Sequence, residues 1–209
     1  MKTLFIPSKI KSEINVKKIQ SLKLPKDIAI AYSIQYKEIA AKVKEILSKK
    51  YNIIGMVQVL GCSRPKFPKD TQAVLLVSSG RFHAVSLAAE TDMPIYILKA
   101  DKMERVSGEE VSSFKKRKLA SYVKFLNSEK IGILISTKPG QENLKKALSL
   151  KSKLKNKTSY LFIANEINPK EFENFGIDSW INTACPRMDF DSSVVNMANL
   201  DSGHAKDSL

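Results

Sequence analysis

Apolar residues in this chain fall into short runs separated by longer stretches with helical periodicity. The runs are Ile28–Tyr32, Ile53–Leu60, Ala73–Val77, Ile95–Leu98, Ile131–Ile135, Tyr160–Ala164 and Ser179–Asn182. Each has the length of a strand, roughly four to eight residues, and each is bounded by turn or helix signals. Between them lie amphipathic stretches. Within Tyr36–Lys49, residues Ile39, Val43, Ile46 and Leu47 share one stripe at helical spacing. Ser107 with Glu110 forms a capping box that opens a long helix to about Asn127, with Val111, Phe114, Tyr122 and Phe125 facing inward. Thr137-Lys138-Pro139-Gly140 leads into a helix to about Lys155 on Leu144, Ala147, Leu148 and Leu154. Asn168-Pro169-Lys170-Glu171 reads as an N-cap, a proline at the first helical position and an acid in the first turn.

Strands that alternate with helices imply parallel β-α-β units. The pattern also restarts halfway. Ile28–Tyr32, followed by Ser33-Ile34-Gln35 and a helix, is echoed by Ile131–Ile135, followed by Ser136-Thr137-Lys138 and a helix. The expected fold class is therefore α/β, with two tandem small parallel-sheet domains. The first, 1–104, carries Cys62. The second, 105–209, comprises a linker helix and the domain carrying Cys185, with a polar tail expected to fray from about residue 201.

Composition narrows the class. Hydrophobic content of 43% is ordinary for a globular protein. No apolar run approaches a membrane span, and the start, Met1-Lys2-Thr3-Leu4-Phe5-Ile6-Pro7, has too short an apolar stretch for a signal peptide. Two cysteines are too few for a disulfide framework, so a reducing cytoplasm is the expected location. The formal charge of +14 is uneven: residues 1–50 carry 12 Lys against 4 acids, and the last 59 carry 7 bases against 8 acids. Such asymmetry suits an RNA-facing surface. Two features favour lysine-coated, solvated helix faces over direct RNA binding. Only five of the 35 bases are arginine, and no aromatic residues interleave with them.

In α/β proteins, chemistry sits at the carboxyl ends of strands. Four strand-end loops stand out: Ser33-Ile34-Gln35, Leu60-Gly61-Cys62-Ser63-Arg64-Pro65, Ser78-Ser79-Gly80-Arg81-Phe82-His83, and Ser136-Thr137-Lys138-Pro139-Gly140-Gln141. The third combines a glycine, small hydroxyls, an arginine and a histidine at a helix N-terminus, whose free amides and dipole suit a carboxylate or phosphate. A turn with a capping serine explains the same residues. The fourth lacks the spaced glycines of a phosphate-binding loop.

The two cysteines have similar settings. Each follows a strand, has an arginine two residues later and a proline within three. A nearby arginine lowers a thiol's pKa and favours metal binding, whereas a buried cysteine elsewhere is an inert small hydrophobe. Two thiolates alone do not complete a tetrahedral zinc site or an iron–sulfur cluster. A cysteine-nucleophile enzyme is less attractive, because His83 and His204 are the only histidines.

Four segments occur in order: Val57-Gln58-Val59-Leu60-Gly61-Cys62, Ser79-Gly80-Arg81-Phe82-His83, Ile135-Ser136-Thr137-Lys138-Pro139-Gly140-Gln141, and Asp178-Ser179-Trp180-Ile181-Asn182-Thr183-Ala184-Cys185-Pro186-Arg187. Together they make the chain, from about Phe5 to Leu200, resemble the archaeal type of diphthamide-synthesis radical enzyme, 2-(3-amino-3-carboxypropyl)histidine synthase. The resemblance implies three similar α/β domains, each giving one cysteine to a [4Fe–4S] cluster whose fourth iron is open to S-adenosylmethionine. It implies cleavage of the methionine-side Cγ–S bond. The 3-amino-3-carboxypropyl radical then adds to a histidine of translation elongation factor 2. On this resemblance Cys62 and Cys185 match the second and third cluster cysteines. Gly80, Arg81 and His83 face the S-adenosylmethionine pocket, with Gln35 and Arg187 as further contacts. The first domain and its cysteine have no counterpart in residues 1–209. The missing ligand then comes from a separate chain supplying that domain or from a second copy in a homodimer. Alternatively, the chain is a non-catalytic partner that docks elongation factor 2 or an active paralogue.

Overall fold

In the computed structural model, residues 4, 6, 8–11, 13–60, 65–100, 102–186 and 194–201 are described. Cys62, Arg187 and the tail beyond residue 201 lie outside them. The chain divides into two compact units, Met1–Phe114 and Lys115–Leu209.

The first unit opens with the short helix α1 (Val16–Gln20), capped by the Asn15 side chain, which accepts the Lys18 N–H at 3.2 Å. Then follow β1 (Asp27–Tyr32), a 3₁₀ turn (Ile34–Tyr36), α2 (Lys37–Leu47), β2 (Asn52–Gln58), β3 (Ala73–Val77), α3 (Arg81–Thr91), β4 (Ile95–Lys99) and β5 (Lys102–Arg105). The sheet order is β2-β1-β3-β4-β5, parallel except for β5. Ala73–Val77 is buried along its whole length and β1 nearly so. Parallel strands are covered on both faces, and such strands read as unbroken apolar runs. Ile39, Ala40, Val43 and Leu47 of α2 pack with Ile28, Ile30, Leu75 and Ile19 in one core.

The sequence pattern does not reveal β5. It pairs antiparallel with the last strand of the parallel set, Leu98 opposite Met103, after Ala100 turns the chain at φ 56. Its exposed Lys102, Glu104 and Arg105 are edge-strand residues, charged where an apolar strand would invite pairing with another chain.

Helix α4 (Gly108–Asn127) carries the expected capping box. The Ser107 N–H donates to Glu110 Oε2 at 3.0 Å, and the Glu110 N–H donates to Ser107 Oγ at 3.2 Å. The division between units falls inside this helix rather than at 104/105, because Glu110 bonds within the first unit whereas Phe125 joins the core of the second.

The second unit continues with β6 (Lys130–Ser136), α5 (Leu144–Lys153), β7 (Thr158–Ala164), a 3₁₀ helix (Pro169–Phe175), β8 (Ser179–Asn182), β9 (Val194–Asn196) and α6 (Met197–Asp201). Its sheet order is β7-β6-β8-β9, all parallel. Counted within each unit, both sheets run second-first-third-fourth, so the expected repeat is a repeat of topology. The α5 stripe differs from the expected one. Leu144 and Leu148 are 38% and 48% exposed, while Ala147, Leu150 and Leu154 pack into the core. Gly132 of β6 lies opposite Trp180 of β8, and a Cβ on it would meet the indole at 2.2 Å. That glycine lets Trp180 lie across the sheet, with its ring edge-to-face to Phe162 and tilted against Phe172.

Candidate functional site

In a sheet of this order, connections leave the first and third strands toward opposite faces. The crevice outside their carboxyl ends is the natural ligand position. The first unit places Ser33 after β1 and the Ser78–His83 segment after β3. Ser33 donates its N–H to the Val77 carbonyl and its hydroxyl to Ser78 Oγ, both at 3.4 Å. Ser78 Oγ also accepts the Gly80 N–H at 3.2 Å. The two strand ends are thus joined by small hydroxyls, which leave little bulk above them. Gln35 is half-buried in the adjoining 3₁₀ turn.

Gly80 caps α3 in an extended conformation, φ −96, and a Cβ there would meet nothing closer than 3.8 Å. The residue keeps the loop slim rather than enabling a special backbone. His83 is half-buried one turn later, its ring edge-on to Phe82 at 5.6 Å between centroids.

Arg81 is engaged by two carboxylates. Its Nε and Nη2 donate to the two oxygens of Glu110 at 2.6 and 2.8 Å, and Nη1 donates to Glu104 at 2.7 Å. This bidentate fork is the strong form of an arginine–carboxylate pair. The Arg81 bonds, with those from Ser107, hold the Glu110 carboxyl down at about 2, and Glu110 with Glu104 raises the guanidinium. The arginine braces the N-terminus of α3 to β5 and to the capping box of α4. Glu104 and Glu110 are the residues that sequence reasoning missed here. The capping box was the visible signal, but nothing in the spacing points Glu110 at Arg81.

The second unit brings two of the expected segments together. The Ser136–Gln141 loop follows β6 and Thr183-Ala184-Cys185-Pro186 follows β8. Lys138 pairs with Glu166 at 2.9 Å and lowers that carboxyl's pKa, while its N–H donates to Ser136 Oγ at 3.1 Å. Gly140 has φ 79, a left-handed turn that favours glycine. Asn143, the N-cap of α5, donates to the Gln141 carbonyl at 3.4 Å and to the Thr183 carbonyl at 2.8 Å, tying the two loops.

Cys185 is a half-buried free thiol. Thr183 fixes the start of its loop by donating both N–H and hydroxyl to the Leu134 carbonyl, at 3.1 and 2.8 Å. Asn182 and Asn196, opposite each other on β8 and β9, hold the rest. Sequence reasoning missed both: Asn182 passed as the last residue of a strand, and Val194–Asn196 is too short a run to register. Cys62 and Arg187 lie outside the described residues. The strand leading to Cys62 does end on the carboxyl edge, where the Val59 N–H donates to the Tyr32 carbonyl at 2.9 Å. Among the described residues, no three His, Cys, Asp or Glu side chains converge to hold a metal ion, and no helix is long and apolar enough to cross a membrane.

A pair of units with the 2-1-3-4 strand order defines the class, an α/β fold built on parallel sheets. The family is more specific. The model of the diphthamide synthesis protein family matches residues 1–195, and the chain belongs to that family. Among curated relatives, a 2-(3-amino-3-carboxypropyl)histidine synthase of Methanocaldococcus jannaschii is 29% identical over 177 residues, which are 81% of this chain and 48% of the relative. The protein of the same name from Pyrococcus horikoshii is 28% identical over 137 residues, 64% of this chain and 40% of the relative. The chain thus spans about half the length of the curated relatives it matches, or less. The crystal structure of Dph2 from Pyrococcus horikoshii with a 4Fe-4S cluster is similar in fold, with a TM-score of 0.70 and 23% identity. It matches over 87% of this chain and 57% of that one.

Proposed function

We propose that this chain acts in the first step of diphthamide synthesis, supplying Cys62 and Cys185 as two of the three protein ligands of a [4Fe–4S] cluster. The third cysteine comes from another chain or a second copy. The reaction is transfer of the 3-amino-3-carboxypropyl group from S-adenosylmethionine to a histidine of elongation factor 2, with methylthioadenosine as co-product. The observation that carries this reading is the presentation of Cys185. Its thiol is half-buried at the carboxyl end of β8, in a loop whose backbone is bonded on both sides. A soft thiolate so placed suits iron, and the chain belongs to a family with a cluster-bearing fold relative. When bound, the cluster supplies an electron from an external one-electron reductant and an open iron for the amino and carboxylate groups of the substrate.

The chain's own residues do the rest. Ser33, Ser78 and Gly80 keep the loops at the first unit's strand ends slim, which leaves room for a ligand, and His83 follows in the same segment. Arg81 holds the loop through Glu110 and Glu104.

The test is anaerobic reconstitution with iron and sulfide, on the chain alone and mixed with a domain carrying a third strand-end cysteine. The expected result is about four irons per cluster, lost in Cys62→Ala and in Cys185→Ala but kept in His83→Ala. Methylthioadenosine should form from S-adenosylmethionine only in the cluster-bearing preparation. If both cysteine variants keep the full iron of the parent, or if no preparation binds iron, the assignment fails. Binding of elongation factor 2 without iron would then mark a non-catalytic docking subunit.

A further inference from the structure

Asparagine amides hold the loop that carries Cys185. Asn182 Nδ2 donates to the Cys185 carbonyl at 2.7 Å and to Asn196 Oδ1 at 2.7 Å, while Asn182 Oδ1 accepts the Ala184 N–H at 2.9 Å. Asn196 Nδ2 donates to the Pro186 carbonyl at 2.8 Å. With Asn143 on the Thr183 carbonyl at 2.8 Å, three asparagines from three different elements take the carbonyls of residues 183, 185 and 186. Asn182 and Asn196 are 2% and 4% exposed. Burying two amides is unfavourable unless they are bonded, and here Asn182 donates one N–H to Asn196 and the other to the loop, while Asn196 in turn donates to the loop. None of these bonds uses the sulfur. An aliphatic pair would fill the same space between β8 and β9 without any polar cost, so packing alone does not call for asparagine.

We infer that Asn182 and Asn196 are positioning residues for Cys185: they set its backbone so that the thiol stands ready for iron before any iron arrives. The inference rests on the cluster reading above for its iron readout, but its thiol readout stands apart from it. Neutral amides suit the task. They fix geometry without placing a charge beside a metal ligand, and polar groups just outside a metal's ligands typically change affinity by about 10- to 100-fold when removed.

Two variants test this, Asn182→Ala and the milder Asn196→Ser, each made in the parent chain and in a Cys62→Ser background where Cys185 is the remaining thiol. In the metal-free protein, iodoacetamide should modify Cys185 about tenfold faster in the variants, at fixed pH and with native Trp180 fluorescence retained. In the reconstituted protein, iron should leave to a chelator about tenfold faster, and the cluster's midpoint potential should shift. Parent-like alkylation, iron retention and potential in both variants would overturn the inference, even if the melting temperature fell. Faster alkylation in the variants, with no iron bound by the parent in any preparation, would sink the cluster reading and leave the cradle standing.

Discussion

The two units repeat one strand order and secure their strand-end loops in different ways. In the first, the loop after β3 is braced from the rim by charges, Arg81 against Glu104 and Glu110, with side chains 44%, 65% and 33% exposed. In the second, the loop after β8 is held from below by buried neutral amides. A rim clamp in water is screened by salt and responds to pH. A buried amide cradle responds to neither but tolerates no loss of a partner. The same scaffold therefore offers one adjustable loop and one rigid loop. The rigid one carries the Cys185 thiol.

The largest expected effect separates the glycines of the two units. Gly132→Ala would drive a Cβ into the Trp180 ring, and should cost about 3 kcal/mol, at the upper end of overpacking effects. Urea unfolding followed by the fluorescence of Trp180, the chain's one tryptophan, measures it. Gly80→Ala, with ordinary contacts at 3.8 Å, should stay within about 0.5 kcal/mol. A comparable loss from both would mean the first loop is as tightly built as the second.

Next come the leucines of α5. Leu150→Gln places an amide against the second core and should cost about 2 kcal/mol, whereas Leu148→Gln should change stability by less than about 0.5 kcal/mol. Equal losses would restore the stripe that the sequence pattern suggests.

Glu110→Gln weakens the rim clamp and should cost about 1 kcal/mol at low salt, shrinking as salt rises, because these side chains are well exposed. Asn182→Ala should lose the same stability at every salt concentration. The pH dependence has a definite sign. The folded Glu110 carboxyl is depressed from 4.5 to about 2. Its contribution is present above about 4.5 and drains away as pH falls toward about 2. Urea midpoints of the parent and Glu110→Gln should therefore differ at pH 7 and converge by about pH 2. A gap that persists there would show that the pair acts through packing instead of charge.

Seven strands were legible because their short apolar runs stand out from amphipathic helices, even at the part-exposed edges β2 and β7. β5 was not, since an antiparallel edge strand carries charge where it meets water, and β9 is only Val194–Asn196. The capping box of α4 was legible because it is local, three residues wide. The site divided along the same line. Cysteine, glycine and histidine at strand ends could be named from spacing. The Arg81 clamp could not be, because its two carboxylates lie 23 and 29 residues away in sequence.

The amino-acid sequence alone therefore determined the repeat of two α/β units and the family. These depend on local periodicity and on residue chemistry. Tertiary structure decided which leucines of α5 face inward, where Arg81 spends its charge and which asparagines hold Cys185. Each of those choices depends on which partner a side chain meets after distant segments are brought together, and one-dimensional spacing does not encode that meeting.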